Sequence, residues 1–373
     1  MTTAIEMTGS LDQATLDALR EGVAGVLSEK SDSLAVHAFI DGKNSLDREL
    51  WCQAASLGWL GFGIPEQYGG LGLGFRGLAI LHNELGRQAA PGPYIPTLSA
   101  AQVIMEHGSE AARTAWLPRI VSGEVNAAVP ASTPIPLDAP PLTWSGAAVS
   151  GTVRCLGERD ATFALAAAGD VWVIVELAAA EVNAVPMWDR TRELIDIRFR
   201  DAKPAAILKD REGVSLALAR AMALATAADS CGGARSITER TIAYMKAREQ
   251  FGQPIAGFQA LKHRVADLAT KLAIMDEMVA HAVHRTAADE PDADIWASLA
   301  KAEVTETFVF VATDCVQLHG GVGFTWDFDP HIFLKRARLN EVLLMANPAL
   351  RDQAADALAA LTRSGQSALE LGI

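Results

Sequence analysis

Leu261, Val265, Leu268, Leu272, Met275 and Val279 follow one another at spacings of 4, 3, 4, 3 and 4 residues. Their side chains therefore fall on one stripe of one long helix. So long a stripe is stable only under other helices, and a helical bundle is the architecture that covers it. The helical period runs from about Arg211 almost to the end of the chain, and an earlier helical tract runs from Ser10 to about Gly123. The glycine-rich loop GIPEQYGGLGLG interrupts that earlier tract. Between the two tracts the texture changes. Pro130, Pro134, Pro136, Pro140 and Pro141 cluster, and short strand-like runs follow. VWVIVEL is a continuous apolar run suited to a strand buried on both faces, whereas IDIRFRD alternates like a half-buried one. The order predicts a mainly α chain with a middle β domain, divided into residues 1–123, 124–210 and 211–373.

Half of the 373 residues are hydrophobic, enough to build large cores, so disorder is excluded as the main state. The formal charge of −13 opposes binding to a phosphate backbone, and no nucleic-acid partner is expected. Cys52, Cys155, Cys231 and Cys315 are scattered without metal-ligand spacing and read as small apolar fillers in a reducing cytosol. His82, His263, His281 and His284 form no HxxxH or HExxH pattern, so no metal is expected. The opening MTTAIEMTGSLDQ lacks the basic and apolar regions of a signal peptide, and no long uninterrupted apolar run appears. The expectation is a cytoplasmic protein with no membrane partner.

Two segments carry chemistry. In KAREQFGQPIAGFQALKHRVADL, Arg248 ends one helix, Gly252 and Pro254 break it, and a new helix begins near Phe258. A guanidinium at such a break reaches a phosphate bidentately, beside the amide of Gln250 and the ring of Phe251. In QLHGGVGFTWDFDPHIFLKRA, Gly320, Gly321 and Gly323 allow close backbone approach, so peptide N–H groups there suit a pyrophosphate. His319 in this turn reads as a structural hydrogen-bonding group rather than a general base. The tryptophans read mostly as core, and Glu239-Arg240 and Lys262-His263-Arg264 as solvated faces or intersubunit pairs.

Together, in this order and about 70 residues apart, the two segments resemble the acyl-CoA dehydrogenase family. Its C-terminal bundle carries RxxFGxPI…FQ and QxHGGxG(F/Y)TW(E/D)xDxH…(R/K)RA. WLGFGIPEQYGGLGLG, ELGRQAAPGPY and MWDRTRELIDIRF agree as well, so the resemblance covers nearly the whole chain. It implies an N-terminal helical domain, a middle β-barrel-like domain and a C-terminal four-helix bundle. It also implies non-covalent FAD, an acyl-CoA substrate and an electron-transferring flavoprotein as acceptor. Arg248, Gln250, Phe251, Ile255, Gln259, Gln317, Gly320 and Gly321 match the motif positions that contact an FAD bound mainly by the neighbouring subunit.

The family's α,β-dehydrogenation needs a desolvated carboxylate at the α-carbon and hydrogen bonds to the thioester carbonyl. The two places where the family puts that carboxylate fall here on Leu344, nine residues past Lys335, and on Met222, about 26 residues before Arg248. A flavin-contacting threonine falls on Ala346. Glu341 is no nearer the usual position. Asp229 is the nearest carboxylate on the first bundle helix; it reads either as a base or as a polar contact between subunits or toward solvent. The loop that binds the flavin ring in cis is also altered. NAAVPASTPIPLDAP offers only Ser132 and Thr133, and GTVRCLGERDATF lacks the Trp-x-Thr strand end.

Three readings follow. One is a subunit of a heteromeric FAD-dependent acyl-CoA dehydrogenase, an α2β2 assembly with a second acyl-CoA dehydrogenase-like subunit, which completes its partner's flavin site. The second is a self-sufficient homotetramer with Asp229 as base. The third is a non-enzymatic flavin-binding or scaffold relative.

Overall fold

A computed structural model describes residues 12–42, 46–132, 142–363 and Gly365. Six helices come first: α1 (Gln13–Lys30), α2 (Ser33–Asp41), α3 (Arg48–Ser56), α4 (Gly74–Arg87), α5 (Tyr94–His107) and α6 (Glu110–Val121). Eight strands follow: β1 (Ala127–Pro130), β2 (Leu142–Trp144), β3 (Val149–Leu156), β4 (Phe163–Ala168), β5 (Val171–Glu176), β6 (Glu181–Val185), β7 (Leu194–Ala202) and β8 (Ala206–Leu208). The chain closes with α7 (Arg211–Ala247), a two-residue-strand hairpin of β9 (Glu249–Gln250) and β10 (Gln253–Pro254), α8 (Gln259–Ala287), α9 (Ala293–His319), α10 (Pro330–Val342) and α11 (Asn347–Arg363).

The strands form one sheet in the order β6-β7-β3-β1-β4-β5-β8, with β2 pairing to β3 and β4. β5 is buried from Val171 to Val175, as a continuous apolar run requires. On β7, Ile195, Ile197 and Phe199 are buried while Arg198 and Arg200 face water. One face of the sheet packs on α5, α6 and α7. On α8 the stripe does what its period demands: Leu268, Leu272, Met275 and Val279 are buried in the bundle core, with Leu261 and Val265 packed at its edge.

α7 is the central element. It is long and apolar enough to cross a membrane, but 89% of its most apolar window is buried inside the fold, the mark of a core helix. Asp210 caps its start by accepting a hydrogen bond from the Gly213 amide. α4 crosses it almost backbone to backbone. A Cβ on Gly86 would lie 2.0 Å from the Asp229 carbonyl oxygen, and one on Gly232 would lie 1.9 Å from that of Asn83. Glycine is needed at both places because nothing else fits the crossing.

Two expectations about side chains change. Cys52 is exposed, unlike the other three cysteines, because it falls on the outer face of α3. Most tryptophans are buried or half-buried as expected, and Trp188 and Trp326, 83% and 52% exposed, are the exceptions. Arg240 and Arg264 are not merely solvated, since they pair with Asp329 and Asp314 on other elements.

The crossing makes a direct forecast. Gly232→Ala should cost about 3 kcal/mol of stability by forcing α4 and α7 apart. A urea midpoint equal to that of the parent chain would show that the helices separate freely.

Candidate functional site

The residues matched to the flavin motifs gather at the end where α7 and α9 finish. Arg248 leaves the helix with extended backbone, and its amide donates to the Tyr244 carbonyl. Gln250 pairs with Gln253 across a two-residue turn in which Phe251 (φ +54°) and Gly252 (φ +78°) are both left-handed. Such a turn matches the twist of a hairpin and presents its tip to solvent. Phe251 is 93% exposed. The Ile255 amide then donates to the Arg248 carbonyl at 2.8 Å, closing the hairpin before Gln259 opens α8.

The glycine turn sits beside this hairpin because Tyr244 of α7 stacks on His319 of α9, with centroids 4.3 Å apart. The Tyr244 hydroxyl also donates to the His319 carbonyl at 3.3 Å. His319 is buried, with Nδ1 2.8 Å from the Cys315 carbonyl oxygen, and burial pushes its pKa down. It is a neutral structural ring. Gly320 adopts φ +66°, ψ −145°, and a Cβ on Gly320 or Gly321 would meet nothing within 4 Å. Gly323, by contrast, lies tight against the Val316 carbonyl. Gln317 and Gln259 are exposed. The Arg248 guanidinium forms no ion pair or hydrogen bond with any described residue. With Arg248 as its donor, this group of an uncommitted guanidinium, an exposed ring and two open glycines fits a phosphate such as those of FAD, while the Gly320 amide already donates to the Gln317 carbonyl.

The positions where a base is expected look different. Met222 is fully buried on α7 among apolar groups. Leu344 is 2% exposed and left-handed (φ +69°), and its amide donates to the Ala131 carbonyl at 2.8 Å. Ser132 bridges to the same residue. Thr133 lies outside the described residues. Between α4, α5 and α7 a cavity of only about 10 Å³, lined by His82, Ser99 and Gln102 among others, is room for a water and not for an acyl chain.

Asp229 is 1% exposed and neither reaches solvent nor waits for a partner chain. Its Oδ1 accepts from Arg192 and from Arg336, each at 2.6 Å. Its Oδ2 accepts from Arg336 Nε at 3.1 Å and from Asn340 at 2.8 Å. Burial alone would raise its pKa, but the two guanidiniums and the hydrogen bonds from Arg336 and Asn340 overcome burial and hold the carboxyl well below the usual range. A carboxylate with so little proton affinity and no free lone pair is a poor proton acceptor.

Sequence reading passes over several buried ionisable groups, Glu158 and Lys301 among them. Glu158, in the turn after β3, is 1% exposed and its Oε2 has no hydrogen-bond partner among the described residues. Burial, then the nearby Glu193 and Asp160 carboxylates, push its pKa well above the ordinary 4.5 against the pull of Arg159 and Arg192. Lys301, fully buried on α9, donates to the carbonyls of Glu341 and Met345 and to Asn347 Oδ1 at 2.8–2.9 Å. Among the described residues no group of three or more His, Cys, Asp or Glu is placed to hold a metal.

Comparison with known proteins bears on this arrangement. The models of the acyl-CoA dehydrogenase N-terminal domain and C-terminal domain match residues 13–124 and 213–361. The chain belongs to the acyl-CoA dehydrogenase family, whose members are FAD-dependent oxidoreductases acting on CH–CH bonds. Acyl-CoA dehydrogenase IpdE2 of Mycobacterium tuberculosis is 30% identical over 87% of this chain and 92% of its own length. Acyl-CoA dehydrogenase FadE34 of the same organism is 31% identical over 81% of this chain, which spans only 41% of FadE34. A solved variant of the Tcur3481–Tcur3483 steroid ACAD superposes with a TM-score of 0.85 at 26% identity, covering 94% of this chain and 99% of that one. The ChsE4–ChsE5 complex of Mycobacterium tuberculosis shares the fold, with a TM-score of 0.80 at 24% identity over 98% of this chain and 100% of that one.

Two outcomes are expected here. Asp229→Asn should lose about 3–5 kcal/mol in urea unfolding, because it leaves two buried guanidiniums without their anion. A variant as stable as the parent would contradict the geometry. Glu158 holds its proton more tightly when folded than when unfolded, so it costs stability as pH rises above 4.5. Glu158→Gln should therefore stabilise the chain by about 1–3 kcal/mol at pH 8 and by much less at pH 4. A gain that does not change between those two pH values would refute the upward shift of the Glu158 carboxyl.

Proposed function

We propose that this chain is one subunit of a heteromeric FAD-dependent acyl-CoA dehydrogenase, giving its partner the phosphate and adenosine half of the flavin site. The carrying observation is the contrast between the chain's two half-sites. Arg248, Gln250, Phe251, Gln317, Gly320 and Gly321 stand exposed at the end of the bundle, whereas Leu344 and Met222 are buried apolar groups. A homomer would repeat the same gap in every site. An unlike partner that carries the base and the ring-binding loop completes one site in each pair, so the assembly is α2β2 with two FAD.

FAD, when bound, accepts the hydride that leaves the β-carbon of the thioester. This chain's part is binding and orientation. Arg248 offers a fork of N–H donors matched to a phosphate, and the open space over Gly320 and Gly321 leaves room for close approach. The Ile255 amide closes the hairpin on the Arg248 carbonyl, and Gln259 stands exposed at the start of α8. The likeness to the Tcur3481–Tcur3483 steroid ACAD supports a steroid side-chain CoA ester as substrate. We place the complex in the cytoplasm, with an electron-transferring flavoprotein as acceptor.

The chain expressed alone should be nearly colourless and should take up FAD when co-produced with an unlike acyl-CoA dehydrogenase-like subunit. In that complex Arg248→Ala should weaken FAD by about 2–3 kcal/mol, roughly 30- to 150-fold, read as flavin per protomer after gel filtration. Four flavins on a tetramer of this chain alone, with turnover, would overturn the reading.

A further inference from the structure

The two segments that the family resemblance assigns to the flavin ring are joined directly to each other. The Leu344 amide donates to the Ala131 carbonyl at 2.8 Å, and Leu344 pairs with Ser132 as an isolated parallel bridge. That amide and that carbonyl are thus committed to each other and not open to a ligand. Leu344 does this in left-handed backbone, a conformation that strains a non-glycine residue and persists only where its surroundings hold it.

The surroundings are specific. Leu343 is buried in the core shared by the sheet and α5–α7, and Leu344 is buried in the core of the bundle, so consecutive side chains anchor in different cores. Lys301 holds the segment from beneath. Its ammonium has three protons, and they go to the Glu341 carbonyl before the segment, the Met345 carbonyl at its end and Asn347 at the start of α11. Asn347 is itself held, its Nδ2 donating to Thr305 at 3.1 Å.

We infer that Leu343–Met345 is a fixed seal over the end of β1, pinned by Lys301, that keeps this chain's own flavin-ring site shut. The inference rests on the reading above, in which the ring is bound by the partner. It adds a physical reason for one flavin per unlike pair: this half-site is closed by protein as well as stripped of its contacts.

Hydrogen exchange on the chain alone and on the assembled complex tests it. The amides of Leu344 and Met345 should exchange at least about 100-fold more slowly than in an unstructured peptide, and millimolar FAD should not change that rate. Lys301→Met should speed them roughly tenfold or more while amides in the middle of α7 keep their protection. Asn347→Ala, a milder loss of one acceptor, should act in the same direction and serves where the methionine variant does not fold. The pH profile adds a readout that simple packing would not move. Burial, against the pull of Glu341, lowers the Lys301 pKa to about 7, so corrected protection at 344–345 should fall above that pH in the parent and not in Lys301→Met. Exchange at the unstructured rate, protection that rises when FAD is added to the chain alone, or folded variants with parental rates would each overturn the seal. Retained flavin in the Arg248→Ala complex would instead overturn the half-site reading and leave the exchange result standing.

Discussion

One buried carboxylate holds the parts of this chain in register. Asp229 lies on the central helix, Arg192 on the connection between β6 and β7, and Arg336 with Asn340 on α10. Arg336 also donates to the Ala90 carbonyl, beyond the end of α4, and to Thr191. Bundle, β domain and N-terminal helices thus converge on one anion. Two desolvated guanidiniums are tolerable there only because their N–H groups find acceptors and a negative charge lies between them. The α4–α7 crossing falls at the same residue, where Gly86 lets α4 approach the Asp229 carbonyl.

Much of the architecture is legible in the sequence because it depends on period. The α8 stripe and the alternation on β7 are local patterns that survive into the fold. The setting of Asp229 is not local. Its partners lie 37 and 107 residues away, and nothing in ATAADSCGG tells a buried anion from a solvated one. Glu158 and Lys301 are hidden for the same reason, since a lone charged residue carries no sign of its burial. The positions counted for a base are the opposite case. The sequence itself has Leu344 and Met222 there, and the fold adds that both are packed as core side chains.

The site divides by exposure. The motif residues point outward, on a hairpin tip and a glycine turn whose backbone conformations are set by left-handed residues. The positions counted for a base are ordinary interior, a leucine bridged to Ser132 and a methionine in the core, and between α4, α5 and α7 lies a void the size of a water. α7 and α9 end in that hairpin and that turn, so the outward set sits on short loops anchored to rigid helices.

The uneven burial of the cysteines gives the chain a built-in chemical reporter. Cys155, Cys231 and Cys315 are buried, and desolvation pushes all three thiols up, Cys315 to about 11. Their thiolate fractions at neutral pH are negligible, whereas Cys52 is open to reagent. An alkylating dye therefore marks the native chain at one known position on α3. Each further thiol that reacts dates the opening of a separate layer: the sheet at Cys155, the α7–α8 contact at Cys231, and the heart of the bundle at Cys315.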